Sequence, residues 1–184
     1  MRPTKHDFAR RPDDRGMHTK FFMKSKQGEV LNQETHEVFM TTNKKNVIRG
    51  MHFQRYHAGA KVLSCLAGSA YVQVVSVDPA ADDYKAVYKF LVQNDNQVLV
   101  PIGYALGYRA LEDNTQMLYI TDQEHYAEYD VGLSPFSFDW TLNPRDLFSP
   151  IASQRDKGLI SAEDFFKFMD EHEDSEEYLR GGLK

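Results

Sequence analysis

Between residues 61 and 121 short apolar runs are cut by turn signals, and few folds accommodate that rhythm. The runs cover 61–66, 70–77, 86–92, 97–100, 104–111 and 116–121. They are rich in β-branched and aromatic residues. Ala67-Gly68, Asp78-Pro79 with the acidic run to Asp83, 93–96, Pro101 and 112–114 separate them. Strands at about 8–12-residue spacing with turns between them predict an all-β sandwich or barrel. An early hairpin is expected from 19–23 and 29–31 around Gln27-Gly28. Near the other end the pattern changes period. Ser161 with Asp164 resembles a capping box, and Phe165, Phe168, Met169 and His172 follow helical spacing. A short C-terminal helix over about 161–178 is predicted, its aromatic stripe packed as core, the acidic stretch 170–177 on its solvated face and Gly181-Gly182 at a frayed end. With 184 residues and no internal boundary, residues 1–184 read as a single domain.

Composition excludes several function classes. A net charge of -5, with both signs interspersed, argues against nucleic acid as a partner. No apolar run approaches the roughly 18 residues of a membrane span. The segment 1–16 is polar and basic and lacks the apolar region of a secretory signal. Cys65 is the one cysteine, so no internal disulfide can form and a cytoplasmic location fits. Its apolar setting reads as an inert core thiol. The seven histidines form no His-x-His or HExxH motif, and there is no CxxC. His52 and His57, five apart, would face opposite sides of one strand. No P-loop, GxGxxG or GxSxG is present, which removes the usual support for phosphoryl transfer, a dinucleotide cofactor or a serine hydrolase.

The segment 43–54 stands out, because Arg49, His52 and Gln54 lie among apolar residues. On a strand Gly50, His52 and Gln54 share a face. If that face lines the barrel, an imidazole suited to proton transfer meets an amide in a half-dry cavity. A hydrogen-bonded structural histidine is the other reading of the spacing.

This segment resembles the signature of the dTDP-4-dehydrorhamnose 3,5-epimerase family, which usually reads NVLRGLHxQ. Further blocks are similar in order: Asp14-Arg15-Gly16, Gly59-Ala60-Lys61-Val62, Pro101 through Tyr108, Leu118-Tyr119, Gly132 through Trp140, and Ser153-Gln154-Arg155-Asp156. Together they span about residues 8–160. The resemblance implies a cupin-type jelly roll, a homodimer, and a reaction with no metal and no cofactor. It also implies a nucleotide-diphosphate sugar substrate carrying a 4-keto-6-deoxyhexose, made for surface polysaccharide such as O-antigen. Inversion at C3, C5 or both would proceed by removing a proton beside the ketone and returning one to the other face. Carried onto this chain, the resemblance implies His52 as base, Asp156 as its carboxylate partner, Tyr119 as acid and Lys61 beside the C4 oxygen. Arg15 and Arg49 fall on diphosphate-binding positions. Gln54 and Tyr126 are candidates for sugar or nucleotide contact, with Tyr129 the alternative to Tyr126.

The chain departs from the family where Leu106 replaces a histidine near the sugar. It departs again at Tyr71-Val72-Gln73-Val74-Val75, where an acid near the lysine is replaced by a neutral residue. Met17, His18, Thr19 and Lys20 also replace aromatics and an acid near the nucleotide. These changes leave a single-centre epimerase, inverting C3 only or C5 only on a CDP-linked or other nucleotide sugar, as an alternative. Three rival classes remain: a cupin isomerase moving the ketone between C3 and C4, a non-catalytic sugar-nucleotide binding protein, and a metal-dependent cupin oxygenase.

Overall fold

A computed structural model describes residues 1–14, 16–23, 31, 35–94 and 96–172. Ten strands form two antiparallel sheets facing one another as a jelly roll. Here β1 is Thr4–Asp7, β4 Glu37–Asn43, β5 Ile48–Gln54, β6 Lys61–Ala67, β7 Ser69–Ser76 and β8 Val87–Gln93. Next come β9 at Asn96–Val100, β10 at Tyr104–Ala110, β11 at Thr115–Thr121 and β12 at Asp130–Gly132. The first sheet runs β1-β9-β6-β11-β4 and the second β12-β5-β10-β7-β8. Among the described residues β2, Ala9–Asp13, and β3, Gly16–Lys20, pair only with each other. Two helices follow, α1 at Gln154–Lys157 and α2 at Ala162–Glu171.

Alternation along the strands decides what lies between the sheets. On β6, Leu63 and Cys65 point inward and Val62 outward; on β11, Met117 and Tyr119 point inward and Ile120 outward. Val72, Val74, Leu106 and Tyr108 belong to the same inner cluster. The outer face of the second sheet is covered by α2, whose Phe165 and Met169 pack with Met51, Phe53 and Trp140. Phe165 meets Phe53 edge to face at 5.9 Å. The helical stripe therefore covers its own barrel.

The strands expected between 61 and 121 occur within a residue or two of their expected limits. The early hairpin differs: the paired segments are β2 and β3, while 24–30 lie outside the described residues. The helix is capped at Ser161, whose Oγ accepts from the Asp164 amide, and it ends at Glu171 rather than near 178. No basic residue lies in its last turn to offset the negative end of the helix dipole. The expected acidic face beyond His172, and Gly181-Gly182, fall outside the described residues. No helix among the described residues is long and apolar enough to cross a membrane.

Candidate active site

A cavity of about 650 Å³ opens between the sheets and is lined by residues from both. β5 supplies Gly50, His52 and Gln54, as alternation requires, and also Arg49. Arg49 and His52 are three apart and would face opposite sides of a regular strand. Against β10, however, Leu106 pairs with His52 and Tyr108 with Arg49, so β5 carries one extra residue. This bulge returns Arg49 to the cavity face. Gly50, at φ +116°, lies in the bulge, and a Cβ there would stand 2.5 Å from the Gly107 Cα and 2.6 Å from the Leu106 carbonyl. Gly50→Ala should therefore lower stability by about 2–5 kcal/mol, combining backbone strain with overpacking. Chemical denaturation measures it, and a change below about 1 kcal/mol would show that the bulge relaxes freely.

The imidazole of His52 is hydrogen-bonded through Nε2 to Asp156 Oδ1 at 2.8 Å. These residues are 104 positions apart, and the path that joins them is visible. The segment leading to α1 forms a parallel bridge between Val47 and Ile151, with Ile48 donating to the Ile151 carbonyl. Ser153 then caps α1 by accepting from the Asp156 amide at 3.0 Å. Arg155 reaches back to β12, 2.7 Å from Asp130 Oδ2, and also donates to the Asp130 carbonyl at 3.1 Å. β12 is itself hydrogen-bonded to β5.

From the opposite sheet, Tyr119 stacks on Phe39, with ring centroids 4.5 Å apart. Its hydroxyl is coupled to that of Tyr108. Tyr108 contacts the Thr41 hydroxyl at 2.8 Å and donates to Asn43 Oδ1 at 3.2 Å; Arg49 Nε donates to the same oxygen at 2.8 Å. Burial pushes the Tyr119 hydroxyl well above its ordinary pKa, so it is held protonated. Lys61, paired in register with Thr121, begins β6 and enters the cavity. Burial lowers its pKa, and the charge of Asp130 opposes that shift.

The sequence-derived set is only partly gathered. His52, Asp156, Tyr119, Lys61, Arg49 and Gln54 line one cavity, and Leu106 lines it beside His52. Gln54 also holds the loop after β11. Its Nε2 donates to the His57 carbonyl at 2.7 Å, and its Oε1 accepts from the Tyr126 amide at 2.9 Å. Tyr126 is exposed and lies outside the cavity lining, in a surface cluster with Tyr56, His57 and Tyr129. His57 follows the end of β5 and is not on a strand with His52. Arg15 falls outside the described residues. Three residues went unassigned in the sequence: Asp130, Arg155 in its ion-paired role, and Tyr108. Only the last two lie in recognisable blocks. A three-residue strand carries no readable period, so nothing in the sequence marks Asp130. Among the described residues no three His, Cys, Asp or Glu side chains are grouped to hold a metal.

Burial raises the pKa of the Asp156 carboxyl, but the hydrogen bond and charge of His52 outweigh it and leave the group below the usual carboxylate range. Asp130 is lowered likewise, mainly by Arg155 and His125, against the effect of burial. A depressed carboxylate stabilises the fold above its unfolded pKa, and that stability is lost as pH falls through the folded value. Thermal denaturation should show stability declining from about pH 4 downward, with a flatter decline in Asp156→Asn. An equally steep decline in that variant would remove the dyad from the acid response.

Comparisons with known proteins bear on the family and the fold. A sequence model described as dTDP-4-dehydrorhamnose 3,5-epimerase matches residues 5–164. The dTDP-4-dehydrorhamnose 3,5-epimerase of Escherichia coli (strain K12) is 27% identical over 168 residues, covering 84% of this chain and 86% of that protein. Among solved structures, the rmlC epimerase of Mycobacterium tuberculosis superposes with a TM-score of 0.81 at 21% identity, covering 99% of this chain and 95% of that one. ChmJ, a 3'-monoepimerase from Streptomyces bikiniensis in complex with dTDP-quinovose, superposes with a TM-score of 0.76 at 16% identity, covering 97% and 95%.

Proposed function

The chain belongs to the dTDP-4-dehydrorhamnose 3,5-epimerase family, and we propose that its cavity inverts C3, C5 or both of a nucleotide-linked 4-keto-6-deoxyhexose by two-sided proton transfer. It is an isomerase of deoxysugar biosynthesis. The observation that carries the mechanism is the dyad of His52 on β5 and Asp156 on α1, facing the half-buried, protonated Tyr119 on the opposite sheet, with Lys61 in the same cavity.

The roles follow from the atoms. His52 Nε2 is engaged by Asp156, so a neutral imidazole keeps its proton there and presents Nδ1 as the base. Nδ1 takes the proton from a carbon flanking the ketone, and Asp156 stabilises the resulting imidazolium. Negative charge moves to the C4 oxygen, where the Lys61 ammonium opposes it. In a site shielded from water such a contact supplies several kcal/mol. Tyr119 donates its hydroxyl proton from the far face, which inverts the centre. Arg49 spends only Nε on Asn43, and its terminal nitrogens are free, among the described residues, for phosphate oxygens. Arg15 is assigned the second phosphate contact, and Gln54 and Tyr126 substrate contacts, on the resemblance alone.

Residues 1–184 are read as one catalytic unit, working as a cytoplasmic homodimer without metal or cofactor, with no nucleic-acid or membrane partner. Its product would serve surface polysaccharide such as O-antigen. The buried thiol of Cys65, the one cysteine in the sequence, supports the reducing compartment. The resemblance supports the dimer and the pathway. The test is incubation with dTDP-4-keto-6-deoxyglucose, with product ring couplings read by proton NMR. New couplings at H3, H5 or both support the reading. Unchanged substrate despite tight dTDP binding would instead support a binding protein.

A further inference from the structure

We propose that Arg109 is a positioning residue for the proton-transfer site: it clamps the segment that delivers Asp156 to His52. The proposal rests on the reading of that pair as the base and its carboxylate. Arg109 projects from β10, in register with Ile48 of β5, and is 2% exposed. A guanidinium has five N–H donors in a fixed plane, and here each has an acceptor. Nη1 donates to Asp146 Oδ2 at 2.6 Å and to the Trp140 carbonyl at 3.0 Å. Nη2 donates to Asp146 Oδ1 at 3.0 Å and to Asn46 Oδ1 at 3.0 Å. Nε donates to the same Asn46 oxygen at 3.3 Å. The Phe148 ring covers the guanidinium face, with its centroid 3.4 Å from Cζ.

Residues 141–150, which this clamp holds, form no helix or strand. Among the described residues, the hydrogen bonds that tie them to the barrel all end on Arg109. Asp146 carries the constraint along the loop by accepting from the Leu142 amide at 2.9 Å. Asn46 carries it to the site. Its side chain is on Arg109, while its carbonyl accepts from the Ile151 amide at 3.0 Å. The Ile151 carbonyl accepts in turn from Ile48, at the start of β5, at 2.8 Å. Ile151 and Ser153 line the cavity, and Ser153 caps the helix that carries Asp156. One guanidinium thus fixes both the approach to β5, which carries His52, and the approach to α1, which carries Asp156. Beyond Ser153, α1 has its own ties, Arg155 to Asp130 and the bridge between Leu133 and Ile160. Desolvation offsets much of the attraction in a buried ion pair, so stability alone is a weak reason for this one. Geometry is a stronger one, because a displacement of about 1 Å in a catalytic group costs about 10²-fold in rate.

The test reads the bond between His52 and Asp156 directly, in the full chain labelled with ¹⁵N-histidine. The Nε2 proton of His52 is identified by its loss in His52→Ala, and its exchange with water is slowed while Asp156 holds it. In Arg109→Met that exchange should become about tenfold faster or more, the equivalent of one hydrogen bond, and kcat should fall by about 10²-fold. Val92→Ala is the control for general weakening. It thins the inner cluster on β8, at the far edge of the second sheet. Its Tm should fall while the exchange stays as in the unmodified protein. Unmoved exchange in Arg109→Met, or an acceleration as large in Val92→Ala, overturns the proposal. If Arg109→Met does not fold, Asp146→Asn decides: faster exchange supports the clamp, and unmoved exchange overturns it. The proton signal needs no turnover, so failure of the epimerase reading would be seen separately, as absent product in the unmodified protein.

Discussion

His52→Ala is expected to stop exchange of the substrate's C3 and C5 protons with solvent, a fall of at least about 10²–10⁴-fold, while dTDP affinity stays largely intact. His52 is the base candidate on the strand face that lines the cavity, paired with a carboxylate through the 2.8 Å contact to Asp156. Removing the imidazole removes the proton acceptor and leaves Asp156 without its hydrogen-bond partner. The nucleotide end should tolerate the change, because the cavity's arginines and the strand pairing that places them do not depend on the imidazole. Asp156 would lose the contact that depresses its pKa, so the variant should also resist acid less like the parent, with a flatter decline below about pH 4. Persistent exchange in a folded His52→Ala protein would mean that another group takes the proton.

Tyr119→Phe should slow inversion by about 10²–10⁴-fold, the usual contribution of one general acid. The fold should absorb it. The ring stacks on Phe39 and packs against the inner cluster, contacts that phenylalanine retains. The lost group is the hydroxyl, which burial holds protonated and therefore able to donate. The informative outcome is a split between two rates. With His52 intact, protons should still be removed and returned on the same face, so exchange continues while inversion falls. Equal loss of exchange and inversion would assign Tyr119 to enolate formation itself, and an unchanged inversion rate would remove it from the mechanism.

The middle of the fold was readable because each strand from β6 to β11 is a β-branched or apolar run bounded by Gly, Pro, Asp or Asn. Where the chain must turn sharply, those residues adopt the conformations others resist: Gly68 has φ +74° and Asn114 φ +59°. The flanking strands were not readable. β1 is four exposed polar residues at a sheet edge, and β12 is three residues long. Edge strands without a buried face show no alternation. The site was legible in parts for the same reason. Gly50, His52 and Gln54 share a face by simple parity, but Arg49 joins them only through a bulge that no period reveals. Resemblance assigned Asp156 to His52 across 104 residues, while the tether that makes the pairing possible, Arg155 to Asp130, exists only once the chain is folded. Gln54 shows the reverse case. Its place on the cavity face followed from parity, yet its amide is engaged by loop backbone that sequence could not place.

The most direct measurement of two-sided proton transfer is proton NMR of the unmodified protein with dTDP-4-keto-6-deoxyglucose in D₂O. Loss of the H3 signal, the H5 signal or both, with the carbonyl remaining at C4, is the expected result and names the centres that invert. Retention of both signals, or migration of the carbonyl to C3, would contradict the account.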